Sequence, residues 1–97
     1  MARTLRKYKN LSRKFQAMAH PARLKLLHTL LEKECCVGEL QKCLQISQPN
    51  TSQHLKVLRT AGIVKGKKEK NRICYRIADK NIKQILIMYF GGEEKNG

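Results

Sequence analysis

Apolar residues recur at steps of three and four through Leu5, Tyr8, Leu11, Phe15 and Met18, which predicts an amphipathic first helix. Its other face carries Arg6, Lys7, Lys9, Arg13 and Lys14. His20-Pro21 breaks the pattern, because the residue before proline avoids the helical region. Pro21 suits the first turn of a second helix, whose inner stripe is Leu24, Leu27, Leu30 and Leu31. A short third helix, from about Val37 to Leu44, turns Val37, Leu40, Cys43 and Leu44 inward. Gln45-Ile46-Ser47 is a tight connection, and Ser47 is a good N-cap for a fourth helix over about 48–61. Leu55 and Leu58 face inward there, with Thr51 a further candidate, and Gly62 suits a left-handed cap. Alternating residues over 63–65 and 73–77 read as two strands joined by a turn near Lys70-Asn71, with Asn supplying the left-handed conformation. A last helix over about 79–90 precedes Gly91-Gly92.

The expected architecture is therefore mainly α with a small β-hairpin, in the order α-α-α-α-β-β-α. With 97 residues there is room for one domain. We divide the chain into a basic, partly helical extension (1–11), the domain proper (12–91) and a polar tail (92–97). The last helix carries Ile82, Ile85, Leu86 and Tyr89 on one stripe, while Ile87, Met88 and Phe90 widen its apolar surface. A helix apolar on more than one side must be covered on more than one side. Pairing with its copy and with the Leu11/Phe15 face predicts a homodimer through the first and last helices.

Charge changes the picture most. The net charge is +14, no acid precedes Glu32, and none lies between Glu39 and Glu69. A cationic surface concentrated on particular elements favours a polyanion, because neutralised phosphates release counterions. The start of the fourth helix offers Ser47, Gln48, Asn50, Thr51, Ser52, Gln53 and His54, with Lys56 just beyond. Short polar side chains at a helix N-terminus can reach base edges in the major groove of double-stranded DNA. The hairpin adds Lys67, Lys68, Lys70 and Arg72 for the backbone or minor groove, although lysines also protect exposed strand edges. Aromatic residues are only 5%, so there is no stacking platform for RNA. No nucleophile motif or phosphate loop points to an enzyme. No apolar run reaches the roughly 18–20 residues of a membrane span, and no apolar signal core follows the basic N-terminus. A cytoplasmic protein with reduced thiols is expected, and Cys35, Cys36, Cys43 and Cys74 lack zinc-finger spacing.

The blocks Ala19-His20-Pro21-Ala22-Arg23-Leu24, Ser47 through Leu55, Leu58 through Val64 and Tyr75-Arg76-Ile77 occur in this order. Over roughly residues 12–90 the sequence resembles the ArsR/SmtB family of prokaryotic metal- and stress-sensing repressors. That resemblance implies a winged helix-turn-helix homodimer that reads an inverted-repeat operator and is released by a ligand. Metalloid-sensing relatives carry Glu-Leu-Cys-Val-Cys-Asp-Leu at the third helix. Here Glu34-Cys35-Cys36-Val37-Gly38-Glu39-Leu40 retains the first cysteine at Cys36 and replaces the second by Gly38. The family's other site, in the last helix, would use Asp79, but Asn81 stands where its first His would be.

Cys35 and Cys36 are thus the candidate effector residues, as a thiol switch or a site for As(III) or another soft metal(loid). Cys43 would complete a trigonal set, but it lies about 10 Å along a helix from Cys36 and reads as core. Cys74 is either a redox thiol or a plain strand residue. His20 and His28 read as cap or surface residues. The expected function is a sequence-specific DNA-binding transcriptional regulator, a repressor released by a thiol-reactive or soft-metal(loid) signal. The alternatives are a constitutive binder without sensing and a non-specific architectural DNA-binding protein.

Overall fold

The computed structural model describes the backbone of residues 2–96 and the side chains of 4–91. The order is α1 (Ala2–Met18), α2 (Pro21–Glu32), β1 (Cys35–Cys36), α3 (Val37–Leu44), α4 (Gln48–Thr60), β2 (Val64–Glu69), β3 (Arg72–Ile77) and α5 (Lys80–Asn96). Helix α1 passes through the 11/12 division without a break, and α5 continues beyond the stop expected at Gly91-Gly92.

Local chemistry accounts for most boundaries. His20 is extended at the N-cap of α2, and its Nδ1 accepts from the Ala22 N–H at 3.1 Å, with Pro21 following. Gln45 ends α3 in the left-handed region (φ 57°), reversing the chain between the two helices of the motif. Ser47 Oγ accepts from the Asn50 N–H at 3.2 Å and caps α4. Gly62 (φ 79°) closes α4: its own N–H reaches the Arg59 carbonyl, and the Ile63 N–H reaches that of Leu58.

The core gathers Leu26, Leu27 and Leu30 of α2, Leu40 and Leu44 of α3, Leu55 and Leu58 of α4, Ile63, Val64, Ile82 and Leu86. Two expectations are corrected. The buried stripe of α2 runs through Leu26, while Leu24 and Leu31 are only partly covered. Cys43 is exposed, because on α3 it falls to the side of the Val37/Leu40/Leu44 stripe.

The sheet has three strands in the order β1-β3-β2, one more than the hairpin alone. Cys35 pairs with Tyr75 and Cys36 with Cys74, both antiparallel, and a disulfide joins Cys36 to Cys74. Cys74 is therefore a strand residue and also a covalent partner. In the two-residue turn, Lys70 rather than Asn71 adopts the positive φ (58°). Gly66 lies opposite Tyr75, and a Cβ there would stand 2.8 Å from Tyr75 Cε1 and 3.0 Å from Ile73 Cγ2. The missing side chain is what lets the tyrosine ring lie across the neighbouring strand.

Asp79 joins the two ends of the chain. One carboxylate oxygen accepts from the Asn81 and Ile82 N–H groups at 3.0 Å each, and the other pairs with Lys14 Nζ of α1. Burial favours the protonated acid, but the Lys14 and backbone donors outweigh it and hold the carboxyl below its ordinary range. A folded-state value below the unfolded one stabilises at pH above about 4 and fades as the pH falls through the lowered value. Asp79→Ala is expected to cost roughly 1–2 kcal/mol at pH 7, from the lost cap and ion pair. In urea titrations the gap to wild type should narrow at pH 3, and a gap that widens on acidification would contradict this assignment.

Candidate nucleic-acid interface

The buried stripe Thr51/Leu55/Leu58 fixes which face of α4 looks outward. Ser47, Gln48, Asn50, Ser52, Gln53 and Lys56 are all exposed. Two of the sequence-predicted contacts are corrected. Thr51 has no exposed surface, and its Oγ1 donates to the Ser47 carbonyl at 2.9 Å, so it anchors the first turn of α4 to the core. His54 is half-buried at the shoulder of the helix, where its Nδ1 accepts from Arg23 Nε at 3.2 Å and its ring lies 4.7 Å from that of His20. Burial, with His20 and Arg23 alongside, pushes the His54 imidazole below its ordinary range, which suits an accepting nitrogen. Its role is to hold Arg23, whose Nη1 also donates to the Ala17 carbonyl at 3.0 Å.

That arrangement adds Arg13 and Arg23, which the sequence reading did not place at the interface, to the predicted Gln53 and Lys56. Arg13, Arg23, Gln53 and Lys56 line one cleft of about 380 Å³ between α1, α2 and α4. Three cations and two amides (Gln16 and Gln53) converge there with no acid. Arg23 gave no local signal, because its position depends on α1 and α4 folding against α2. On the other flank, Gln48 and Ser52 of α4 face Asn71, Arg72 and Ile73 of the hairpin across a groove of about 590 Å³. The outward face of α4 thus lies between a basic cleft and a basic hairpin.

Along the hairpin, Lys67, Lys68, Lys70 and Arg72 are exposed. Lys65 and Arg76 are cross-strand partners, and like charges in that position destabilise a sheet until a counter-charge arrives. Glu69 opposite Arg72 is the one opposed pair in this ladder.

The cysteines do not come together as the sequence suggested. Cys35 is buried, its Sγ donating to the Lys33 carbonyl at 3.5 Å, and burial together with Glu39 pushes its thiol up. Cys36 is bonded to Cys74. Its backbone N–H donates to Glu39 Oε1 at 2.9 Å, and this bond, against an opposing cost of burial and with Lys33, Arg72 and Lys42 nearby, lowers the Glu39 carboxyl. Among the described residues no three His, Cys, Asp or Glu side chains converge as metal ligands. With one sulfur in a disulfide and the other protonated and turned to a carbonyl, Cys35 and Cys36 do not fit As(III) as they stand.

The expected dimer residues split into two sets. Ile82 and Leu86 are buried within the chain, so they belong to its own core. Leu11, Phe15, Ile85 and Tyr89 are exposed, as are Leu5, Tyr8 and Met88. Leu11 of α1 and Ile85 of α5 line one cleft, so the two helices present adjoining apolar surface. No described helix is long and apolar enough to cross a membrane.

Residues 20–65 match the model of the bacterial regulatory proteins of the arsR family. The chain is 48% identical over 84 residues to a biofilm growth-associated repressor of Agrobacterium fabrum, covering 84% of this chain and 72% of the relative. Reduced HlyU from Vibrio cholerae superposes with a TM-score of 0.84 at 31% identity, over 93% of this chain and 95% of the other. A homodimeric winged helix-turn-helix DNA-binding domain from Mycobacterium bovis superposes with a TM-score of 0.87 over 99% of this chain and 89% of the other. At 22% identity that last likeness speaks for the fold alone.

Proposed function

The chain belongs to the arsR family of bacterial regulatory proteins and has a winged helix-turn-helix fold, and from that premise we propose that it is a sequence-specific double-stranded-DNA-binding transcriptional regulator. The observation that carries the reading is the outward face of α4: exposed Gln48, Asn50, Ser52, Gln53 and Lys56, flanked by basic groups on both sides. Amides and hydroxyls at that position read base edges, whereas the wing lysines and Arg13, Arg23 and Lys56 bind phosphates.

The acting unit is a homodimer. Exposed Leu11, Phe15, Ile85 and Tyr89 are covered by a second copy, and two-fold symmetry then sets two copies of α4 on an inverted repeat. The name of the Agrobacterium relative supports repression as the outcome of binding. A thiol-linked signal releases the complex, and Cys36, whose sulfur is bonded to Cys74, is the sensing residue best placed beside the interface. A metalloid is not part of this reading.

A non-specific architectural protein would bind by charge alone, and a pair of substitutions separates the two readings. Using a duplex enriched from a randomised pool, Gln53→Ala should lose about 1–2 kcal/mol of preference for that duplex over random DNA. Lys68→Ala should weaken both duplexes alike and flatten the salt slope by about one unit. Equal, sequence-blind losses in the two variants would favour the architectural reading.

A further inference from the structure

Cys36 and Cys74 sit where the two halves of the interface meet. Cys36 ends β1 and immediately precedes α3, the first helix of the motif, while Cys74 lies on β3, the central strand of the sheet. Their bond ties the wing to the helix pair that presents α4. Without it, β1 is held by two residues of register, a weak anchor for a strand that short. The same cross-strand row continues to Lys67, which is opposite Cys74 on β2, so a thiolate freed at Cys74 would face a wing ammonium. The two cysteines are only 4% and 6% exposed, yet Cys36 forms part of the wall of the groove shared with Gln48, Ser52 and Arg72. A small thiol can enter such a groove where a folded protein cannot.

We infer that Cys36–Cys74 is a thiol–disulfide exchange site cleaved by a low-molecular-weight thiol, and that the oxidised chain is the form that binds DNA tightly. The inference rests on the reading of the chain as a DNA-binding regulator, and it places the switch across the sheet instead of within the vicinal pair. A thiolate RS⁻ attacks Cys36 Sγ, forming an RS–Cys36 bond as the bond to Cys74 breaks and Cys74 leaves as thiolate. A second RS⁻ attacks the sulfur of the R group, releasing the Cys36 thiolate and RSSR. Two RSH are thereby oxidised to RSSR while one disulfide is reduced to two thiols, with two electrons and two protons transferred. Reduction lowers affinity because the freed wing must be ordered on binding.

The test uses the whole chain. Protein isolated in the presence of N-ethylmaleimide and digested without reductant should yield a peptide pair linked through Cys36 and Cys74. Affinity for the selected duplex is then measured after glutathione disulfide or glutathione treatment. Wild type should weaken about five- to tenfold on reduction, the scale of re-ordering a few residues. Cys74→Ser should bind weakly and ignore both treatments, whereas Cys35→Ser should keep the response. An absent linked pair, affinities equal within about twofold, or tighter binding on reduction would each overturn the inference. If Cys74→Ser does not fold, the two redox states of wild type decide alone. Failure of the regulator reading has a different signature, with no preference for the selected duplex in either state. Amide exchange over β1 and the wing then decides: faster exchange on reduction supports the switch, and unchanged exchange refutes it.

Discussion

The double substitution Leu11→Lys, Ile85→Lys is expected to give a folded monomer whose affinity for the selected duplex is at least about a hundredfold weaker than that of wild type. Leu11 and Ile85 are 45% and 43% exposed and line one cleft between α1 and α5, so neither is needed to fill the core. In a dimer both would be buried against the second copy, where an unpaired ammonium is strongly unfavourable. Linking two half-site readers multiplies affinity by about 10²–10⁴, and separating them forfeits that factor. The sign of the result is diagnostic. Adding cations to a protein of net charge +14 raises its attraction to a polyanion, so electrostatics alone predict tighter binding. Sedimentation equilibrium and fluorescence anisotropy read the two effects separately. A variant that stays dimeric and retains its affinity would move the subunit interface elsewhere.

Leu58→Ala should lower the unfolding free energy by about 3 kcal/mol, within the range for a leucine deleted from a closed core. Leu58 is fully buried, and its carbonyl receives the Ile63 N–H where α4 turns into the sheet. The substitution removes side-chain contacts and leaves a void beneath the helix that carries the reading face. Against a typical total of about 5–15 kcal/mol, such a loss is a large share of the stability of a small domain. Urea unfolding at one fixed protein concentration measures it, since the midpoint of a dimer would depend on concentration. A loss under about 1 kcal/mol would mean that neighbours collapse into the space, and that α4 is less tightly seated than its burial implies.

The α-helical skeleton and the face of α4 were legible because their signals are local. Pro21, Ser47 and Gly62 each act within a turn of their own position, and the apolar stripes follow helical spacing. Strand β1 was not legible, since two residues carry no periodicity and the strand exists only by pairing with β3. The disulfide was hidden for the same reason: its partners are 38 residues apart and meet only through sheet register. Thr51 and Cys43 show where composition misled. A hydroxyl near a helix N-terminus looks like a base reader, but of the two readings the sequence left open for Thr51 the inward one holds, on the Leu55/Leu58 face. Cys43 is a residue type usually buried, yet it sits about 60° from Leu40 on the side away from Leu44. His54 and Arg23 hold one another from different helices, a relation that no single segment contains.

The fit between Gly66 and Tyr75 bears on engineering. One strand supplies bulk and the other supplies its absence, so the two positions act as a single seat on which the hairpin rests. Residues beyond that seat, out to the tip at Lys70 and Asn71, are exposed except at Cys74, which its bond to Cys36 keeps with the seat, and the exposed ones make up the exchangeable part of the hairpin. A grafted tip that spares both positions inherits the host's orientation. One that brings its own residue 66 without its own residue 75 must rebuild the sheet before it can touch anything else.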